Sequence, residues 1–225
     1  DTCNRSCYFC PKSDQTIAPN THQKMSKLLI EKLCGDLNKI NFTGAFCLCG
    51  YGEPLLHKDH IEIINRLSKV GQVELITNGD VINEKKLNEL YESKLSKLLI
   101  SLYDGKHQLD KFKEMLEKTK VPKDFVILRD RWYSDKKDYG VKLTNRTGTV
   151  KIGNQQKVNL NKGCYYTSYQ TMIDWNGDVF LCPQDWQRRH TMGNIMQKSF
   201  FDIWTGSTLN QYRYHHLNGN RLKSP

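Results

Sequence analysis

The sequence predicts an α/β fold: a parallel sheet of strand–helix units followed by a small β-hairpin-plus-helix appendage. Three observations predict it. Strand-like and helix-like segments alternate in units of roughly 25 residues over the first part of the chain. The unusual residues gather where the strands end, and in parallel sheets and barrels that is where function collects. After about residue 140 the alternation stops and a turn-rich hairpin replaces it.

In chain order, residues 25–40 place Met25, Leu28, Leu29, Leu33 and Leu37 on one helical face. Residues 42–49 read as a buried strand that ends in Gly50-Tyr51-Gly52. Ile61, Ile64 and Leu67 mark a second helix, and residues 73–77 a short strand stopped by the turn signal Asn78-Gly79. Leu87, Leu90 and Tyr91 carry a third helix, and residues 98–102 the next strand, closed by Asp104-Gly105. Leu109, Phe112 and Leu116 follow as a fourth helix, with residues 125–128 as a further strand. Such alternation implies right-handed crossovers between parallel strands. Gly50 to Pro54, Thr77-Asn78, Ser101 and Arg129 fall at the carboxyl ends, one face of one barrel. Residues 141–150 are strand-like and polar, and residues 171–181 contain the hairpin turn Asp174-Trp175-Asn176-Gly177-Asp178. Residues 199–204 and 209–216 are predicted short helices. The expected domains are therefore 1–149 and 150–225.

Composition excludes several classes. With 38% hydrophobic and 26% charged residues, 15 Gly and 6 Pro, the 225-residue chain is neither disordered nor collagen-like. No apolar run approaches ~20 residues, so no membrane-spanning helix and no membrane partner is expected. A net charge of +10 permits nucleic acid, anionic lipid or phosphorylated substrates and proves none of them. Lys85-Lys86 and Lys136-Lys137 read as solvated helix faces. The chain has neither an initiator Met nor a signal peptide, and a cysteine cluster follows at once, as if upstream sequence had been removed.

The eight cysteines stand at 3, 7, 10, 34, 47, 49, 164 and 182. This uneven spacing in a chain with helical periodicity does not suit a disulfide framework. Cys3-Asn4-Arg5-Ser6-Cys7-Tyr8-Phe9-Cys10 is a C-x3-C-x2-C loop, and three thiolates so close repel one another unless a cation shares them. Structural zinc sites close with four ligands, as do electron-carrying iron–sulfur cubes. Three cysteines on one loop leave one iron of a cube open, and an open iron can chelate a small molecule. A zinc site completed by His22 is the alternative.

This loop, with Phe9 just before its third cysteine, resembles the signature of the radical S-adenosylmethionine (SAM) superfamily. The resemblance implies that Cys3, Cys7 and Cys10 hold a catalytic [4Fe-4S] cluster whose fourth iron takes the amine and carboxylate of SAM. One electron then cleaves the sulfonium, and the 5′-deoxyadenosyl radical abstracts hydrogen from a substrate C–H bond. Gly50-Tyr51-Gly52-Glu53-Pro54 resembles the family's glycine-rich turn after the second strand. Its carbonyls or Glu53 are expected to accept hydrogen bonds from the SAM ammonium. Leu75 to Gly79 resembles the third strand. Asn78 and Ser101 are candidate cofactor contacts, Ser101 toward the ribose, and Arg129 a partner of the methionyl carboxylate. The implied fold is a partial, TIM-like (β/α)6 barrel lacking its first strand.

Gly163-Cys164 and the Gly177-x4-Cys182 hairpin resemble the SPASM and twitch extensions of that superfamily, which bind an auxiliary [4Fe-4S] cluster. Gly193-Asn194-Ile195, residues 201–204 and Arg221 fit their course. The twitch pattern adds a C-x2-C pair, expected beyond Pro225, so Cys164 and Cys182 are an incomplete ligand set, with Asp185 or His190 as substitutes. Thr144 to Gly148 resembles a segment preceding the auxiliary module, and Arg146 is the candidate for substrate anchoring, since arginine stays protonated and is a poor base. Cys34 is expected in the core, and Cys47 and Cys49 on one face of one strand. Tyr165, Tyr166, Tyr169, Trp175, Trp186 and Trp204 are expected to pack the small module rather than stack on bases. His215-His216 is expected on the surface.

The resulting expectation is a cytoplasmic radical SAM oxidoreductase acting on a small-molecule or peptide substrate, reduced by a donor such as flavodoxin or ferredoxin. Dehydrogenation assisted by the auxiliary cluster is the reaction class. Peptide or protein maturation is a second enzyme reading, and a zinc-bound basic nucleic-acid-binding module lies outside enzymes.

Overall fold

The computed structural model describes residues 1–132, 149–150 and 159–224, and they fall into two compact units. Of these, residues 42–132 belong to one unit, and residues 1–41, 149–150 and 159–224, from the two ends of the chain, to the other.

The unit of residues 42–132 is built on four parallel strands in the order β1-β2-β3-β4: β1 (Ala45–Leu48), β2 (Gln72–Thr77), β3 (Lys97–Leu102) and β4 (Val126–Asp130). The unit's helices α2 (His60–Leu67), α3 (Glu84–Glu92) and α4 (Lys106–Glu117) alternate with them. Leu98, Ile100 and Leu102 of β3 are fully buried, as are Val73 and Leu75 of β2. The helices bring Ile64, Leu67, Leu87, Leu90 and Phe112 to this core. A parallel sheet covered by helices needs such continuous apolar runs. Asn83 caps α3 by accepting the Lys86 N–H at 2.8 Å. Gly79, at φ +77°, turns the chain after β2, and a Cβ there would meet Ile100 and Phe112 under 3 Å.

β1 corrects one expectation. It is an edge strand whose residues alternate between exposed and half-buried, not a buried one. An edge strand is paired on one side only, so apolar composition alone does not bury it. Register places Cys47 opposite Glu74, and Ser101 opposite Arg129. Side chains alternate along each strand, so Cys47, Glu74, Lys97, Leu99, Ser101, Ile127 and Arg129 share one face, and Phe46, Val73, Leu75, Leu98 and Ile100 the helix-covered one.

In the other unit, α1 (Lys27–Lys39) begins at Ser26, whose hydroxyl accepts the Leu29 N–H at 3.1 Å. Leu29, Ile30, Leu33 and Leu37 are buried, but Leu28 is 62% exposed, contrary to expectation. The apolar stripe runs through 29, 33 and 37 at helical spacing, and Leu28 stands about 100° off it. Cys34 is half-buried, not a core residue. Then come α5 (Tyr166–Tyr169) and a three-stranded antiparallel sheet of β5 (Met172–Ile173), β6 (Asp178–Phe180) and β7 (Thr191–Asn194). Helices α6 (Phe200–Trp204) and α7 (Ser207–Leu217) close the unit. The hairpin turn falls at Asp174 to Asp178, with Gly177 at φ +90°. β7 was legible only as a motif, because Thr-Met-Gly-Asn has no strand-like alternation.

Leu181, Leu209 and Tyr212 form a small core against which Cys182, Met192 and Trp204 pack. Trp186 is buried, whereas Tyr165, Tyr166 and Tyr169 are exposed and correct the expectation that they pack the module. They sit on and beside the one-turn helix α5, too short to bury three rings. His215 and His216 are half-buried on α7 rather than surface residues. Among the described residues no helix is long and apolar enough to cross a membrane.

Candidate active site

The cysteine loop is preformed. The Cys10 N–H donates to the Cys7 carbonyl at 2.9 Å, and the Ser13 N–H to the Cys10 carbonyl at 2.9 Å. Asn20 clamps the other end: its Oδ1 accepts the Cys3 N–H and its Nδ2 donates to the Cys3 carbonyl, each at 3.0 Å. Pro11 fits the short 3-10 turn, where the proline's missing N–H costs nothing.

Beside the loop runs a chain of charges in which Lys12, Asp1 and Asp174 are buried and Arg188 is partly exposed. Lys12, 2% exposed, donates to the Asp1 carboxylate at 2.7 Å and to the Pro19 carbonyl at 2.8 Å. Arg188 donates to Asp1 at 2.7 Å and to Asp174 at 2.6 Å. Burial lowers the pKa of the Lys12 ammonium, nearby Arg188 lowers it further, and the Cys3 and Cys10 thiols and Asp174 oppose the shift. A cation thus sits within electrostatic reach of two of the three thiols.

All eight cysteines lie outside disulfides, and Cys3, Cys7 and Cys10 are half-exposed. Among the described residues no three Cys, His, Asp or Glu side chains converge as they would on one ion. His22, the fourth ligand of the zinc alternative, instead sits 3.5 Å from the Thr2 hydroxyl. A cube spreads its sulfur ligands over separate corners, and three half-exposed thiols on one clamped loop fit that group better than a single ion.

In the sheet unit, the glycine-rich turn is tied to the end of β2 through Glu53. Its carboxylate accepts the Thr77 hydroxyl at 2.7 Å, the Asn78 N–H at 2.8 Å and the Leu55 N–H at 3.0 Å. Those bonds occupy most of its roughly four acceptor sites. Burial raises the pKa of Glu53 despite the three donors, which pull it down. Gly50 takes φ +128°, open to glycine, Tyr51 is buried, and Pro54 starts a 3-10 turn at Pro54–Leu56. The Asn78 side chain accepts the Asp80 N–H at 2.9 Å, so its carbonyl oxygen holds a turn. Ser101 is buried beside half-buried Arg129. Arg131 adds a second guanidinium, its pKa lowered by burial and by Arg129. One cavity of about 910 Å³ opens at the opposite, amino end of the strands, beside Thr43, Gln72 and Ser96.

Cys164 and Cys182 face one another electrostatically: burial raises the pKa of the Cys182 thiol, and Cys164 and Asp185 add to the shift. The Gln184 N–H lies 3.4 Å from the Cys182 sulfur. Asp185 is engaged by the His190 N–H at 2.8 Å and by its ring at 3.4 Å, so neither substitute ligand stands apart from local bonding. Arg146 lies outside the described residues, as do the rest of 144–148 and Lys136-Lys137. Sequence reasoning missed Asn20, Lys12 and Arg188, and it named Thr77 at its strand end without the bond to Glu53.

Comparison with known proteins gives two family matches. The radical SAM superfamily matches residues 1–126, and the SPASM iron–sulfur cluster-binding domain matches residues 164–224. The S-adenosyl-L-methionine-dependent 2-deoxy-scyllo-inosamine dehydrogenase of Niallia circulans is 29% identical over 232 residues, 99% of this chain and 86% of that protein. The crystal structure of BtrN in complex with AdoMet and 2-DOIA superposes with a TM-score of 0.79 at 27% identity, covering 99% of this chain and 86% of that one. The GTP 3′,8-cyclase of Clostridium perfringens is 30% identical over 123 residues, 51% of this chain but 35% of the cyclase.

Proposed function

The chain belongs to the radical SAM superfamily and carries an SPASM-type extension, and from that premise we propose that it dehydrogenates a small hydroxylated, amine-bearing ring of the 2-deoxy-scyllo-inosamine class. It is a radical SAM oxidoreductase, and its cofactors are a [4Fe-4S] cluster, SAM and an auxiliary [4Fe-4S] cluster. The observation that carries the substrate class is end-to-end similarity: the dehydrogenase matches 99% of this chain, through both the cluster loop and the extension. The cyclases match about half of it.

When bound, the reduced cluster and SAM supply a 5′-deoxyadenosyl radical able to take hydrogen from an unactivated carbon. The chain's residues do the rest. Cys3, Cys7 and Cys10 hold the cluster on a loop fixed by Asn20, with Phe9 at its third turn position. Glu53 fixes the Gly50 to Pro54 turn against Thr77 and Asn78, leaving the turn's carbonyls as acceptors for the cofactor ammonium. Arg129, reinforced by Arg131, supplies positive charge for the methionyl carboxylate, and Ser101 a hydroxyl for the ribose. Cys164 and Cys182 would supply two ligands of the auxiliary cluster, which would offer an acceptor for the one electron that the substrate radical must lose. Arg146 anchors the substrate. We place the division between barrel and extension near residue 150, between the two family matches. A flavodoxin- or ferredoxin-type donor and a cytoplasmic setting complete the reading.

The test is anaerobic reconstitution with iron and sulfide, then incubation with SAM, dithionite and 2-deoxy-scyllo-inosamine. We expect 5′-deoxyadenosine and a product lighter by two hydrogens in equal amounts. SAM cleavage without loss of those hydrogens sinks the substrate class. Cys7→Ala should abolish 5′-deoxyadenosine formation, and undiminished formation would falsify the ligand assignment.

A further inference from the structure

Three cysteines remain outside every role described above, and two of them, Cys47 and Cys49, lie together. Cys47 lies near the carboxyl end of β1 and Cys49 just beyond it; both are exposed, and their sulfurs are 3.5 Å apart in an S–H···S hydrogen bond. They do not belong to a metal site, since among the described residues no third ligand converges with them. Arg129 faces them electrostatically although β4 and β1 are opposite edges of the sheet.

We propose that Cys47 and Cys49 are a dithiol modification site that reacts with low-molecular-weight disulfides and closes to a Cys47–Cys49 disulfide. The geometry supports closure. Residues two apart on a strand are about 6.6–6.8 Å apart at Cα, the upper edge of the range a disulfide spans. Here the second residue lies past the strand end, next to Gly50, whose backbone is free to adjust. The charge distribution sets the order of events. The hydrogen bond shared with Cys49 lowers the pKa of Cys47, with Arg129 assisting and the charge of Glu74 opposing. That same bond holds Cys49 protonated. One partner is the nucleophile and the other the resolving thiol.

The Cys47 thiolate attacks one sulfur of the reagent, forming a mixed disulfide and expelling one thiolate. The Cys49 sulfur then attacks Cys47, forming the intramolecular bond and expelling the second. The two protons given up by the pair end on the two expelled thiolates. Two protein thiols are oxidised by two electrons, and one reagent disulfide is reduced to two thiols.

Trypsin isolates the site, since the segment from Ile40 to Lys58 contains Cys47 and Cys49 and no other cysteine. The anaerobically reconstituted protein is treated with glutathione disulfide, alkylated and digested. The expected peptide carries no alkyl group, is lighter by two hydrogens, and returns to the doubly alkylated form after dithiothreitol. Cys49→Ser should stop at a glutathione adduct on Cys47, and Cys47→Ser should react at least about tenfold more slowly. Circular dichroism of both variants verifies that they fold. Full alkylation of both thiols in the wild type, at the rate of Cys34 in the same digest, would overturn the proposal. So would a persistent glutathione adduct with Cys49 present.

Discussion

Glu53 shows how one side chain serves both fold and site. Its carboxylate satisfies three donors that would otherwise be stranded, since Thr77 and Asn78 are themselves buried. Glu53→Ala should cost about 1–3 kcal/mol, read as a lower urea midpoint, because buried donors lose their acceptor. Thr77→Val should also destabilise, because it removes one donor to the carboxylate and strands the Gly79 N–H, which the Thr77 hydroxyl accepts at 3.0 Å. The raised pKa of Glu53 has a definite sign. Folding favours its protonated form, so its contribution is full below the unfolded value of about 4.3 and is lost as pH rises through the folded value. In Glu53→Gln that part of the pH dependence should vanish, and an unchanged profile would contradict it. At this scale the sequence was partly transparent. Glu53 was visible as a motif residue, but its inward partners came from β2, 24 and 25 residues away. Asn20 gave no signal at all, because its clamp on Cys3 spans 17 residues of irregular chain.

Among elements, helix α1 is held to α6 by a polar contact that hydrophobic periodicity could not reveal. Asp36, buried on the apolar stripe, accepts the Phe200 N–H at 3.0 Å and the Lys32 ammonium at 2.5 Å. Burial alone would raise its pKa; the Lys32 and Phe200 hydrogen bonds and the charges of Lys32 and Lys39 hold it below the usual carboxylate range. A depressed acid stabilises above its unfolded value, about 3.9, and that stabilisation is lost as pH falls through the folded value. Thermal stability should therefore drop below about pH 4 in the wild type, and drop less steeply in Asp36→Asn. The strands of the parallel sheet were read at close to their observed positions because β2 and β3 are apolar runs bounded by turn residues. β1 was misread as buried because composition does not say which strand stands at an edge. β7 and α5 were not read as elements because four-residue segments carry no period.

At the scale of the whole molecule, one compact unit is assembled from both ends of the chain. Asp1 and Arg188 are 187 residues apart and 2.7 Å apart in space, and the bridge continues to Asp174 at the hairpin turn. Arg188→Met leaves two buried carboxylates with less compensation and should cost about 2–3 kcal/mol, below the roughly 3–5 kcal/mol of a fully buried pair because Arg188 is itself partly exposed. Arg188→Met combined with Asp174→Asn should cost less than the sum of the two single changes, because each removes a partner of the same bridge. Strict additivity in chemical denaturation would show that the bridge carries no coupling.

The sequence by itself determined the family and the α/β class. These depend on local spacing: thiols three and four residues apart, apolar runs at strand length, glycines at turns. The tertiary structure alone decided which strand forms an edge and where Glu53 spends its lone pairs. It also placed a buried lysine beside the cysteine loop and set the thiols of Cys47 and Cys49 side by side at the end of β1. Those outcomes follow from burial and from charges brought together across long stretches of chain, and neither quantity is written in the spacing of residues along it.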